Sequence, residues 1–396
     1  MPGRTQATLL LAATWLSSAG CGGGGDDDDG PGPRGPSGPV TVDLDAPPPV
    51  LLSAYHLFTW DPAAGFAFND RVVPYDVNTA LFSDYALKQR ALYLPDGTTA
   101  RFDPDRPLDL PVDLPVGAVV MKTFYLPADL RAPGDAVRLI ETRLLVRHAD
   151  GWHPLPYIWD AEQHDAVLTP AGEVRAISFV DAAGAVQVAS YLIPQRNECQ
   201  SCHAEQDTAT SPIELVLIGL KARHLNRAHD YGGSIGARNQ LDRLTELGML
   251  SGAPAAASLP AAYDFRPIEV SGPAGLAPAA LDDAARSYLD INCAHCHNPR
   301  GVQGMTSQLF LDHASTDLFH LGVCKRPGSA GSGNGGLTFD IVPGDPDMSI
   351  LYFRTATAKV GAMMPLLGRS LTHGRGAELV RAWIAAMPAD DCVTVP

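Results

Sequence analysis

"RLIETRLLVRHADGWHPLPYIW", Arg138 to Trp159, decides how the first half of the chain reads. Two apolar, strand-like runs flank "ADG", a short cluster of turn residues, so the stretch predicts a β-hairpin. "VGAVVMKTFYLP" (Val116–Pro127) and "VQVASYLIP" (Val186–Pro194) have the same character. Prolines recur at short intervals and no long helical period develops. Residues 45–195 are therefore expected to form a β-rich, sandwich-like domain. Trp152, Tyr157, Trp159, Asp160 and Asp165 are read as strand and turn residues in preference to pocket residues. The same holds for His148, His153 and His164.

Beyond the sheet, two short stretches carry chemistry. "ECQSCHAEQ" holds Cys199, Cys202 and His203, and "NCAHCHNPRG" holds Cys293, Cys296 and His297. C-x-x-C-H suits covalent haem attachment. Two thiols add across the vinyl groups, and the adjacent histidine reaches the iron. C-x-x-C alone also serves zinc sites and redox dithiols. A zinc site built from both pairs would span 94 positions and leave both histidines unexplained. A redox dithiol would want a βαβ setting, and none is visible. Two covalently bound haem c groups are the expectation.

The chain has 396 residues, with 45% apolar and 18% charged, which fits two or three globular domains. A formal net charge of −15 argues against nucleic acid as a partner. Some of that charge is local, in the run Asp26–Asp29.

The N-terminus reads as an export signal over residues 1–21. Arg4 is followed by the short apolar run "ATLLLAATWL" (Ala7–Leu16) and then by "SSAGC", ending at Cys21. Small residues before Cys21 resemble a lipobox, which implies lipidation of that cysteine; cleavage near Ala19 is the alternative. Ser18 stands where such signals usually carry leucine. Residues 22–44, rich in Gly, Asp and Pro, read as a flexible tether. The expected location is periplasmic or cell-envelope, lipid-anchored to a membrane, with Gly22 favouring the outer one. Once Cys21 and the four motif cysteines are assigned, Cys324 and Cys392 are left as a plausible disulfide in an oxidising compartment.

Residues 196–262 form the first haem segment. Within it "NQLDRLTELGML" (Asn239–Leu250) reads as an amphipathic helix, and "GAPAAASLPAAY" (Gly252–Tyr263) as a linker. Residues 263–396 resemble a cytochrome c domain. "LDDAARSYLDIN" (Leu281–Asn292) is a helix running into Cys293, and "GAELVRAWIAAM" (Gly376–Met387) puts Leu379, Trp383 and Ile384 on one helical face. The expected fold class is thus multi-domain: a sandwich-like β-rich unit followed by mostly α-helical, cytochrome c-like haem domains. "GSGNGG" (Gly331–Gly336) matches a dinucleotide fingerprint only in letters and is read as a loop.

In "GAMMPLLGRS", Met364 before Pro365 resembles the distal-ligand loop of cytochromes c, with Met363 as runner-up. The first haem has His224, His229, Met249, Met305 or no ligand as its distal options. Arg223 and Arg227 are potential propionate partners. The chain resembles a family of bacterial dihaem c-type cytochromes, mostly predicted lipoproteins with an N-terminal β-rich domain. The likeness runs through "PYDVNTALFSDYALKQR", "KTFYL", "ETRLLV", "GLKARHLNR", "YLDINCAHCHNPRG", "IVPGDPDMSILYFR" and "MMPLLGRS". It implies two covalent haems and electron transfer to a redox partner protein. A dihaem peroxidase or small-molecule oxidoreductase with an open first haem is the alternative.

Overall fold

The computed structural model describes residues 35–105, 108, 111–302, 307–328 and 331–392. The export signal with Cys21, the tether up to residue 34, and Met305 lie outside the described residues. No helix among the described residues is long and apolar enough to cross a membrane.

One antiparallel sheet of six strands organises the chain. Its strands follow one another as a meander: β1 (Val72–Tyr75), β2 (Leu87–Tyr93), β3 (Val119–Pro127), β4 (Val137–His148), β5 (Gly151–Trp159) and β6 (Ala166–Leu168). The hairpin read from sequence is β4–β5, with His148 opposite Gly151 and Glu141 opposite Ile158. A separate hairpin, β7 (Glu173–Val180) with β8 (Val186–Ile193), packs beside the sheet.

Alternation along the strands sorts side chains onto two faces. Val119, Met121, Leu144, Val146, Leu155, Tyr157 and Trp159 point to one face, where Leu52, Tyr55, Leu57 and Phe58 cover them. The chain is already engaged there by Val40 and Val42, which pack against this cluster. The other face is divided. Leu92, Val120 and Trp152 meet Leu217, Leu220, Leu225, Leu241 and Met249. Phe124, Leu126, Ile140 and Ile158 meet Phe179, Ala189, Tyr191 and Ile193 of the β7–β8 hairpin.

Two expectations about fold need correction. The β-rich region is one meander plus a hairpin, not a two-sheet sandwich. The following residues do not form mostly α-helical, cytochrome c-like domains. Helix makes up only 22% of the structure, in eight short pieces. The longest are α1 (Pro278–Asn292) and α3 (Gly374–Ala385); α2 (Ile350–Ala356) has seven residues. The helical period is real in α1 and α3, which pack together around Leu289, Leu379, Trp383 and Ile384. Elsewhere it is absent. Residues 204–251 instead form short strand pairs, including Leu250–Ser251 paired in parallel with Ala100–Arg101. The segment after the first motif also shares its core with the sheet, so it is not an independent helical unit. Cys324 and Cys392 are joined by a disulfide, with an S–S distance of 2.12 Å.

Candidate functional site

Each C-x-x-C-H motif sits on a helical turn. Gln200–His203 forms one turn of α-helix directly after the turn Arg196–Cys199. Residues three apart share a helical face, so Cys199 and Cys202 lie on one side, with His203 next to them. The second motif continues α1. The Cys296 and His297 amides donate to the Cys293 carbonyl at 3.1 and 3.0 Å, winding one further turn.

The structure brings the two motifs together. Cys296 Sγ donates to the Ser201 carbonyl at 3.0 Å. Glu205 pairs with Arg300 at 2.7 Å, and the Gln206 amide donates to the Arg300 carbonyl at 2.8 Å. Sequence separation gave no sign of this contact. His295 is also part of it, because its ring acts on Cys202, and its Nδ1 is buried without a partner.

Protonation follows from these surroundings. The Cys296 thiol, and then His295, hold the Cys202 thiol below its ordinary value. Burial pushes Cys199 up, and Cys293 up to about 12. His203 Nδ1 lies 2.7 Å from the Val216 carbonyl. Burial, with Lys122 close by, pushes its imidazole down to about 4, so the ring is neutral at pH 7. With Nδ1–H donated to a carbonyl, the Nε2 lone pair is left for a metal. Thiols on one face and a histidine locked in this tautomer fit covalent haem. The donor set does not present a ready tetrahedral zinc site. Among the described residues, the groups of three donors within 4.8 Å of one another are His148, Asp150, His153 and Cys324, Asp390, Cys392.

The other candidates are distributed as follows. Met364 lies in the loop between α2 and α3, held by its backbone. Arg369 donates to the Met364 carbonyl at 2.8 Å and also lies close enough to Cys293 to feel its charge. Met363 is its half-buried neighbour. Met249 is 2% exposed in the sheet core, where it packs as an ordinary apolar residue. His224 is buried, with Nε2 2.9 Å from Asp290. His229 packs edge-on against Tyr231. Arg223 and Arg227 meet protein carboxylates, Asp283 at 3.5 Å and Asp76 at 2.9 Å. Trp152, Tyr157 and Trp159 are core residues. Asp160 and Asp165 hold backbone turns, accepting from the amides of His164 and Ser53. His148 and His153 stack at 3.8 Å beside Asp150, at the β4–β5 turn.

One feature of the site has no signature in the motifs. Arg90, Lys122 and Arg143 stand opposite one another on neighbouring strands, forming a cationic band across the sheet face. Lys88 joins it one pair further along, opposite Phe124. Lys122 acts on Cys202 and Arg143 on Cys199, which places the band beside the first motif. The alternation of "LKQRALY", "VVMKTFYLP" and "RLIETRLLV" puts these charges on an inward face, and that was the available signal.

Comparison with protein-family models, with curated proteins and with solved structures gave no match to this chain.

Proposed function

We propose that this chain is an exported dihaem c-type cytochrome that transfers electrons in the periplasm or at the cell envelope, held there through a lipid on Cys21. The observation that carries this reading is the meeting of two C-x-x-C-H motifs, one with its histidine tautomer fixed by the Val216 carbonyl. Bound haem iron would supply a one-electron couple. Cys199 and Cys202 would hold one haem with His203 on its iron, and Cys293 and Cys296 the other with His297. The protein's own part is to fix each histidine, exclude water from buried thioethers, and keep the two motifs in contact. Met364 is the proposed sixth ligand of the second haem. Its support is the Arg369 anchor that joins its loop to the Cys293 region. A histidine–methionine pair closes the iron and raises its potential, which suits a carrier.

Haem content tests the reading. Protein exported with the haem-attachment machinery should carry two covalent haems per chain. They should survive acid–acetone extraction and give a c-type pyridine haemochrome. Cys293→Ala with Cys296→Ala should remove one of them. Extractable haem, or none, would overturn the proposal.

A further inference from the structure

The cationic band has more positive charge than the protein balances. Lys88 Nζ, Lys122 Nζ and Arg143 Cζ lie 5.3, 5.4 and 4.4 Å from the centre of one ring, Phe124. Like charges placed opposite one another across strands are destabilising, and burial increases the cost. Two carboxylates are in reach, and both are committed. Glu141, fully buried, binds Arg143 in a fork at 2.6 and 2.7 Å and accepts from the Tyr191 hydroxyl at 2.9 Å. Asp76 is shared between Arg90 at 3.0 Å and Arg227 at 2.9 Å. Lys88 donates to the Ala86 carbonyl at 2.7 Å. Lys122 makes no hydrogen bond to the described residues. A thiolate at Cys202 would offer partial compensation, but as a thioether that sulfur carries no charge.

We propose that Lys88, Lys122 and Arg143 form a seat for a carboxylate or oxoanion beside the first motif, and that the haem propionates fill it in the loaded protein. The proposal rests on the dihaem reading for the source of the anion, though not for the seat itself. The ring of Phe124 forms the floor. The two lysines supply mobile donors, and Arg143 offers the part of its fork not taken by Glu141. Two carboxylates would bring the band close to neutrality. They would also set the face of the first haem against the sheet.

The test uses Lys88→Met with Lys122→Met, which keeps apolar stems and leaves the Arg143–Glu141 pair intact. In haem-loaded protein the double variant should melt at lower temperature than the parent. The potential of one haem should fall and become pH-dependent between about pH 5 and 8, as propionates lose the cations that hold them ionised. In the Cys199→Ala, Cys202→Ala background the same lysine substitutions should raise the melting temperature, because only repulsion is removed. In that background inorganic phosphate should stabilise the protein when both lysines are present, and not when they are replaced.

A double variant that melts higher in the loaded protein too, with a pH-independent potential, would overturn the proposal. If loaded parent protein binds phosphate through these lysines, the seat holds a free oxoanion and the propionate assignment fails. If the parent carries no covalent haem, the dihaem reading fails, while lysine-dependent stabilisation by phosphate still decides the seat. If the cysteine variants do not fold, the pH dependence of the loaded double variant decides the assignment.

Discussion

Asp290→Asn should destabilise the protein and loosen the contact between the motifs. Asp290 is fully buried on α1, one turn before Cys293. Its carboxylate accepts from Lys221 Nζ at 2.9 Å and meets His224 Nε2 at 2.9 Å, while the His313 amide donates at 3.3 Å. Burial alone would raise its pKa. Lys221, followed by His224, holds it well below the ordinary carboxylate range instead. The group is thus ionised at all working pH values. Lys221 and His224 belong to the first haem segment and Asp290 to the helix carrying the second motif, so this buried pair joins the two. Removing one partner of a buried ion pair leaves the other uncompensated and costs about 3–5 kcal/mol.

Urea unfolding at pH 7 should show a loss of that size. Lys221→Met added to Asp290→Asn should recover most of it, because no charge is then stranded. The parent's contribution from Asp290 is present above the unfolded pKa near 4. It is lost only as pH falls through the depressed folded value. The difference between parent and variant should therefore be flat from about pH 5 to 8 and shrink in acid. A loss below about 1 kcal/mol, or no recovery with Lys221→Met, would refute the argument.

Three further outcomes are expected. Replacing Cys324 and Cys392 by Ser should cost about 4 kcal/mol by the loop-closure relation for a separation of 68 residues, read by thermal or urea unfolding. Met364→Ala should abolish the red-edge absorption of a methionine-bound ferric haem and let carbon monoxide bind the ferrous protein at that haem; Met363→Ala should do neither. Asp340, buried and 4.0 Å from Lys325, has its pKa raised to about 6 by burial. Between its unfolded value near 4 and about pH 6 the folded state binds more protons, so stability from this group falls as pH rises and stays reduced above that window. Asp340→Asn should accordingly be more stable than the parent at pH 7, with the advantage shrinking towards pH 4 in parallel urea titrations.

Much of the strand architecture was legible because hairpins advertise themselves. "ADG" between two apolar runs fixed β4–β5, and the period of α1 and α3 is plain in "LDDAARSYLDIN" and "GAELVRAWIAAM". The error lay in extending those two helices to the whole of residues 196–396. Between them the chain turns repeatedly on glycine and proline. Gly322 and Gly344 hold left-handed conformations with neighbouring atoms close to where a Cβ would lie. Such a chain cannot continue as helix. The sandwich expectation failed for a different reason. Alternation predicts a covered face, but not whether a second sheet or a set of loops covers it. Here the cover is Leu52–Phe58 on one side and Leu217–Leu250 with the β7–β8 hairpin on the other. The motif residues were legible from spacing. Asp290, His295 and Arg369 were not, since each matters through a contact made across distant parts of the chain.

The sheet does for this site what a helical bundle would do less directly. A strand period of two forces Arg90, Lys122 and Arg143 to share a face with Leu92, Val120 and Phe124. The cations are therefore bracketed by apolar clusters at both ends and cannot reach water by sliding along the strand. A slip of one residue in β3 would bring Lys122 into the opposite core, against Tyr157 and Leu144, while sending Met121 and Tyr125 into the charged band. Burying an unpaired ammonium there costs far more than any register gain could return. The shift in pairing at Phe124/Tyr125 occurs just beyond the band and leaves Lys122 opposite Arg143. Register, the feature that fixes the core on one side, is thus also what holds positive charge in place beside Cys199 and Cys202 on the other.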